Sequence, residues 1–262
     1  MTLRSAFLKI LPAVAVLLLA APRVWGQFQQ AIFADSTQAG WTLRGNATYQ
    51  GAGEVLLTPN QRNRAGSVFF DKALDPTTCN TWSATFEYLI FGWETLPPGS
   101  NSSAPADGIA FTFLNNPPLN AIGGGGVGLP TGPNGIMVVF DQYDNCGGGN
   151  PELQLRYGNG STNYSECPNP PQPTLRNAAF VRDPGNPIYR QCSVQYNDGN
   201  IEVYIEGVLR LSGFYRMNVP GFFGFTASTG GGSDEHYVRN MVITIPDAPI
   251  LTDVGIDTTV AP

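Results

Sequence analysis

Hydrophobic and polar side chains alternate with a period of two along most of this chain. Over residues 82–91 the apolar Trp82, Ala84, Phe86, Tyr88 and Ile90 interleave with Ser83, Thr85 and Glu87. Successive side chains of a strand point to opposite faces, so the pattern predicts a strand with one buried face. Ile201, Val203 and Ile205 repeat it directly after Asn197-Asp198-Gly199. The Asp-Gly step tolerates the positive φ of a two-residue turn and predicts a hairpin there. Further strands are predicted at 40–50, 53–58, 66–71, 108–114, 135–141, 152–157, 208–212, 221–227 and 236–245. No long segment carries a helical period with caps, so the chain reads as all-β.

The predicted strands spread evenly from 30 to 246 with no internal repeat or linker. One domain of about 220 residues is within the range of all-β sandwiches. Ahead of it, Arg4 and Lys9 precede an apolar run over 10–21 that only Pro12 interrupts, and Val24 and Gly26 fit the −3 and −1 positions of a cleavage site. This reads as a signal peptide over 1–26, with Gln27 as the new N-terminus. The run is shorter than the ~20 apolar residues of a membrane span. After Ile245 come Pro246, Pro249 and a Thr/Val/Asp stretch ending at Pro262, read as a flexible tail or linker over 247–262. The expectation is a domain over 27–246 that is secreted, extracellular or held at the cell surface, with no membrane span once cleaved.

Composition supports many short strands joined by tight turns: Gly 31, Pro 22, 13% charged and 11% aromatic residues. The net charge is −6 and no basic run occurs, which argues against a nucleic-acid partner. The cysteines are Cys79, Cys146, Cys167 and Cys192, and an even number on an exported chain favours disulfides. Three pairings are open. Cys146–Cys167 with Cys79–Cys192 is preferred, because the first bond would staple a long glycine-rich loop. No CxxC pair is present and His236 is the only histidine, so zinc is not expected. Asn46, Asn101, Asn159 and Asn163 each open an N-x-S/T sequon.

Three segments stand out chemically. Asp107-Gly108 sets a carboxylate at the mouth of the hydrophobic strand 109–113; a plain turn residue is the simpler reading. The run over 123–129, Gly-Gly-Gly-Gly-Val-Gly-Leu, lets backbone N–H groups approach a ligand closely, or is a flexible loop. It is no dinucleotide fingerprint, since no helix follows it. In the third, an apolar strand ending at Phe140 runs into Asp141-Gln142-Tyr143-Asp144-Asn145. Asp141, Tyr143 and Asn145 fall two apart, so an extended chain aims them to one side, and Asn150 follows. Calcium takes about six to eight hard oxygens, and such a loop supplies some four; a solvated acidic loop is the plainer alternative. The EF-hand pattern is absent.

Asp107-Gly108, the Gly-Gly-x-Val-Gly-Leu run, Val138-Val139-Phe140-Asp141-Gln142-Tyr143-Asp144-Asn145, and the glycine- and phenylalanine-rich stretch 221–230 occur in the order seen in L-type lectins. Over about 30–246 the chain resembles that family, which includes legume seed lectins, the lectin domains of secretory-pathway cargo receptors and bacterial relatives. The resemblance implies a concanavalin A-like jelly-roll β-sandwich of two antiparallel sheets, glycans or glycoproteins as partners, and Ca2+ as cofactor. It implies that Asp107 is the sugar-binding carboxylate, often preceded by a cis peptide, here Ala106–Asp107. Gly125 would touch the sugar through its N–H, and Asn145 would both bind the sugar and ligate calcium. Asp141, Tyr143 (through its carbonyl) and Asn150 would be the other calcium ligands. The loop 229–233, with Gly230, Gly231 and Gly232, would tune sugar choice.

The departures matter too. Legume members hold a second metal with a Glu and a His at positions occupied here by Val139 and Leu155, so that second site is expected to be missing. Asn150 stands where legume lectins carry an Asp, so calcium is weaker, or Asp144 or Asp183 takes over. The segment 158–185, rich in Pro and Asn, has no matched counterpart. His236, at the start of the last strand, reads as structural. The leading function is a calcium-dependent, non-catalytic glycan-binding protein; an oligomer is compatible with it. The alternatives are an adhesive surface domain without a sugar site, or a glycoside hydrolase. Hydrolysis needs two carboxyl groups about 5–9.5 Å apart, and the paired E-x-D-x-x-E of sandwich glucanases is absent from 139–144.

Overall fold

The computed structural model describes residues 28–31, 40–77, 80–96, 104–143, 151–160, 174–177 and 187–245. The expected signal peptide, the tail, Cys79, Cys146, Cys167, Asp144, Asn145, Asn150 and Asp183 lie outside them. The strands are β1 (Phe28–Ala31), β2 (Trp41–Gly45), β3 (Thr48–Gly51), β4 (Glu54–Thr58), β5 (Ala65–Phe70), β6 (Thr81–Phe91), β7 (Gly108–Leu114), β8 (Asn134–Asp141), β9 (Glu152–Asn159), β10 (Thr174–Asn177), β11 (Arg190–Asn197), β12 (Asn200–Ile205), β13 (Val208–Phe214), β14 (Phe222–Ser228) and β15 (Glu235–Ile245). One short 3-10 turn, Trp93–Thr95, is the only helical element among the described residues. No helix among them is long and apolar enough to cross a membrane.

Two antiparallel sheets result. One runs β13-β12-β11-β6-β15-β4-β3, with β1 also pairing β15, and the other runs β10-β9-β8-β7-β14-β5-β2. Sheets facing one another bury the inward half of every strand, which is the period-two pattern of the sequence. The inward residues form one cluster that includes Trp82, Phe86, Phe111, Phe113, Phe140, Tyr196, Phe223 and Phe225. Trp82 stacks on Tyr196 with centroids 5.2 Å apart and meets Phe223 edge-on at 5.0 Å, joining the sheets through aromatic contacts. The outer face of the second sheet is covered as well. Phe69, Ala110, Leu114, Val127, Leu129, Met137 and Val139 form a second buried cluster there, under the glycine-rich loop.

Departures from the sequence reading have local causes. The strand expected over 40–50 is two strands in different sheets. The chain crosses between them after Gly45, whose φ is +65° and where a Cβ would lie 2.3 Å from the Ala65 carbonyl oxygen. Strand β10 falls in the segment 158–185 that offered no pattern. The hairpin at Asp198-Gly199 forms as expected, with φ of 47° and 97° at the two turn residues.

The preferred Cys79–Cys192 bond is not formed: Cys192, on β11 opposite Phe86, is a free thiol buried in the core, where it packs with the apolar side chains between the sheets.

Candidate functional site

The three chemically distinctive segments converge at one end of the second sheet. Gly108 pairs with Asp141 across β7 and β8, and with Ser228 across β7 and β14. That register brings Asp107, the end of β8 and the loop after β14 together. Asp107 is held by its backbone, its N–H donating to Ser228 O at 2.9 Å and its carbonyl accepting from Gln142 N at 2.8 Å. The Ala106–Asp107 peptide is cis. The Asp107 side chain is only 4% exposed, so a carboxylate sits at the floor of the site.

Gly230 closes on that carboxylate. A Cβ on Gly230 would lie 3.0 Å from Asp107 Oδ2 and 3.3 Å from Gly124 Cα. Three of the predicted sugar-facing segments, those of Asp107, the glycine-rich loop and the loop 229–233, therefore meet, while that of Asn145 lies outside the described residues. The glycine-rich loop is tied down: Gly124 N donates to Thr229 O at 3.2 Å, Thr226 Oγ1 donates to Val127 O at 2.8 Å, and the Ser228 hydroxyl bonds Gly124 O. Val127 and Leu129 anchor it into the second cluster. Gly125 lies within the turn from Gly124 to Val127, which is closed by Val127 N donating to Gly124 O at 3.1 Å. The loop 229–233 is pinned likewise. Thr229 N donates to Arg64 O at 2.8 Å, Asn63 N donates to Gly230 O at 3.2 Å and Ser233 N donates to Ala104 O at 2.9 Å. Gly232 is buried, and a Cβ there would strike Ala104 O at 2.3 Å.

On the candidate metal side, Asp141 is 3% exposed and closes β8, while Tyr143 is 41% exposed just beyond it. Asn145 and Asn150 lie outside the described residues, and among those described no group of three or more His, Cys, Asp and Glu side chains could hold a metal. The donors present, a carboxylate from Asp141 and the carbonyl of Tyr143, are hard oxygens of the kind calcium takes. They fit the ion as part of a set.

Sequence reasoning missed a layer beneath the site. Leu155 faces the core between the sheets, on the opposite face from Asp141. The face towards Asp141 is held by Glu152, Gln154 and Arg156, all buried. Arg156 Nη2 lies 3.2 Å from Asp141 Oδ2, and Gln154 Nε2 donates to the same oxygen at 3.0 Å. The second sequence-silent element is a buried relay. Gln142 Nε2 donates to Asp234 Oδ2 at 2.8 Å, and Asp234 Oδ1 accepts from Trp93 N at 2.7 Å. Gln142 Oε1 then accepts from His236 Nε2–H at 2.8 Å, which leaves Nδ1 to accept from the Thr58 hydroxyl at 2.5 Å. His236, fully buried, thus braces the residue between Asp141 and Tyr143, in keeping with its structural reading.

Comparison with known proteins agrees with this architecture. The model of the legume-like lectin family matches residues 28–247. Protein ERGIC-53 of Mus musculus is 27% identical over 221 residues, covering 80% of this chain, and that of Homo sapiens is 25% identical over the same span. The chain spans about 40% of the length of these relatives. Among solved structures, the VIP36 exoplasmic/lumenal domain in its Ca2+/Man3GlcNAc-bound form superposes with a TM-score of 0.63 at 21% identity, covering 78% of this chain and 84% of that one. The Emp47p carbohydrate recognition domain gives a TM-score of 0.64 at 15% identity, covering 85% and 95%. At these identities the structures establish the two-sheet sandwich, and the family match establishes kinship. The chain belongs to the legume-like lectin family.

Proposed function

We propose that this chain is a non-catalytic, calcium-organised glycan-binding domain acting outside the cell or on the lumenal side of a membrane. The observation that carries the reading is the buried Asp107 carboxylate set against Gly230 and Gly124. A carboxylate there accepts hydrogen bonds from two neighbouring sugar hydroxyls, and charge-assisted bonds of this kind are stronger than neutral ones. Gly125 presents a backbone N–H to the same sugar, and Asn145 would donate to it as well. Gly230, Gly231 and Gly232 form the wall that sets which sugar enters. Asp141, the Tyr143 carbonyl, Asn145 and Asn150 would hold Ca2+. The bound ion supplies a fixed positive charge that orders Asn145 and its loop, which lowers the entropy cost of binding.

The Ca2+- and mannose-bound forms of VIP36 make mannose-type glycans the first ligands to try. The lumenal setting of that domain and the signal-like start of this chain support the proposed location. A glycan array probed with the full chain, with and without a chelator, tests the reading. Binding lost on chelation and lost in Asp107→Asn is expected; chelator-insensitive binding counts against the calcium-organised site, and no binding to any glycan counts against the sugar site.

A further inference from the structure

Beneath the site stands a charge that the glycan-binding reading does not use. Glu152, Gln154 and Arg156 fall two residues apart on β9 and so share one face, in register with Met137, Val139 and Asp141 of β8. Arg156 is only 1% exposed. Its Nη2 lies 3.2 Å from Asp141 Oδ2 and its Nε donates to Gln154 Oε1 at 2.6 Å. Gln154 Nε2 bridges Asp141 Oδ2 at 3.0 Å and Glu152 Oε2 at 2.9 Å.

Burying a guanidinium is costly unless a carboxylate and fixed acceptors compensate it. Here Asp141 and Gln154 do so, and in return Asp141 is neutralised and fixed by the protein itself. A carboxylate can hold a guanidinium on one oxygen and ligate a cation with the other. A permanent positive charge one carboxylate away from that cation repels it, and burial strengthens the repulsion.

We propose that Arg156 is a positioning residue that serves as an internal cation for the Asp141 site. It holds Asp141 at the edge of the site in the metal-free chain, and by the same charge it lowers the affinity for a divalent ion. This rests on the reading of Asp141 as a calcium ligand. Calcium then adds to a carboxylate already in place.

Arg156→Met removes the charge at similar length. Calcium chloride alone is titrated calorimetrically into the wild-type and variant chains, and the melting temperature of each is read in chelator and in excess Ca2+. Binding tighter by at least about tenfold is expected in the variant, with a larger calcium-induced rise in Tm than in the wild type. A wild type that binds no calcium beside a variant that does supports the same conclusion. Equal or weaker binding in the variant, or none in either chain, overturns it. If Arg156→Met does not fold with or without calcium, Arg156→Gln, which keeps a hydrogen-bond donor but no charge, is read by the same criterion. Wild-type glycan binding is measured separately. Its absence defeats the sugar-site reading, whereas the calcium comparison alone decides the role of Arg156.

Discussion

Gly230 is packed so closely on Asp107 that the smallest side chain would come within 3.0 Å of the Oδ2 oxygen. The same added carbon would sit 3.3 Å from Gly124 Cα, so neither neighbour offers room. Gly230→Ala is therefore expected to displace the Asp107 carboxylate or the glycine-rich loop. Overpacking of this kind costs about 1–3 kcal/mol, and glycan affinity should fall by about tenfold or more for a shift of that size. Titration of a bound glycan into the variant, beside a denaturant melt, checks both.

His236 makes its contacts wholly inside the protein, with Thr58 on one ring nitrogen and Gln142 on the other. His236→Phe leaves the Thr58 hydroxyl and the Gln142 amide oxygen buried without that partner. Each such group costs about 1–3 kcal/mol. Urea unfolding should show a loss of roughly 2–6 kcal/mol on that basis. Calcium binding should weaken as well, because Gln142 separates Asp141 from Tyr143. A variant as stable as the wild type would remove the relay from the account.

Burial pushes the Tyr157 hydroxyl up to about 12 from its ordinary 10.0, and its ring stacks on Tyr215 at 5.1 Å. Desolvation, in Tyr189 with a hydrogen bond to Glu54 and in Tyr237 with one to Glu235, raises those two hydroxyls as well. A group whose pKa is raised by folding stabilises the fold fully below its unfolded value, and the stability is lost as pH climbs towards the folded value. Stability should then be level through neutral pH and fall between about 10 and 12, the Tyr157 window. Tyr157→Phe should flatten part of that fall in chemical melts run across the range.

Burial also drives the Cys192 thiol well above its ordinary pKa. The thiolate is the reactive form. Cys192 should resist a thiol reagent in the native chain and react once the chain is unfolded, as mass spectrometry of labelled peptides would show. Rapid labelling under native conditions would place Cys192 elsewhere than the core.

Much of the fold was legible because alternation in a strand reports burial directly, as in β6, where every second residue from Trp82 to Ile90 points inward. The Asp198-Gly199 turn was legible because few residues accept positive φ. The resemblance to L-type lectins singled out Asp107, the glycine-rich loop and the loop 229–233, which the structure brings together. Arg156 was not. Alternation marks Glu152, Gln154 and Arg156 as a polar face, which ordinarily meets water, yet all three are buried, on the face of the sheet that also carries the second apolar cluster. The pairing of Cys192 was hidden for a related reason. Spacing along a chain carries no register, and the place of Cys192 opposite Phe86 in the β6–β11 pair is what buries it as a free thiol.

The central claim is a sugar site whose floor is Asp107. Calorimetric titration of a mannose-type oligosaccharide into the calcium-loaded full chain and its Asp107→Asn variant tests it most directly. Saturable binding in the wild type, abolished in a variant whose melting temperature is unchanged, is the predicted result. Equal binding by both chains would contradict it.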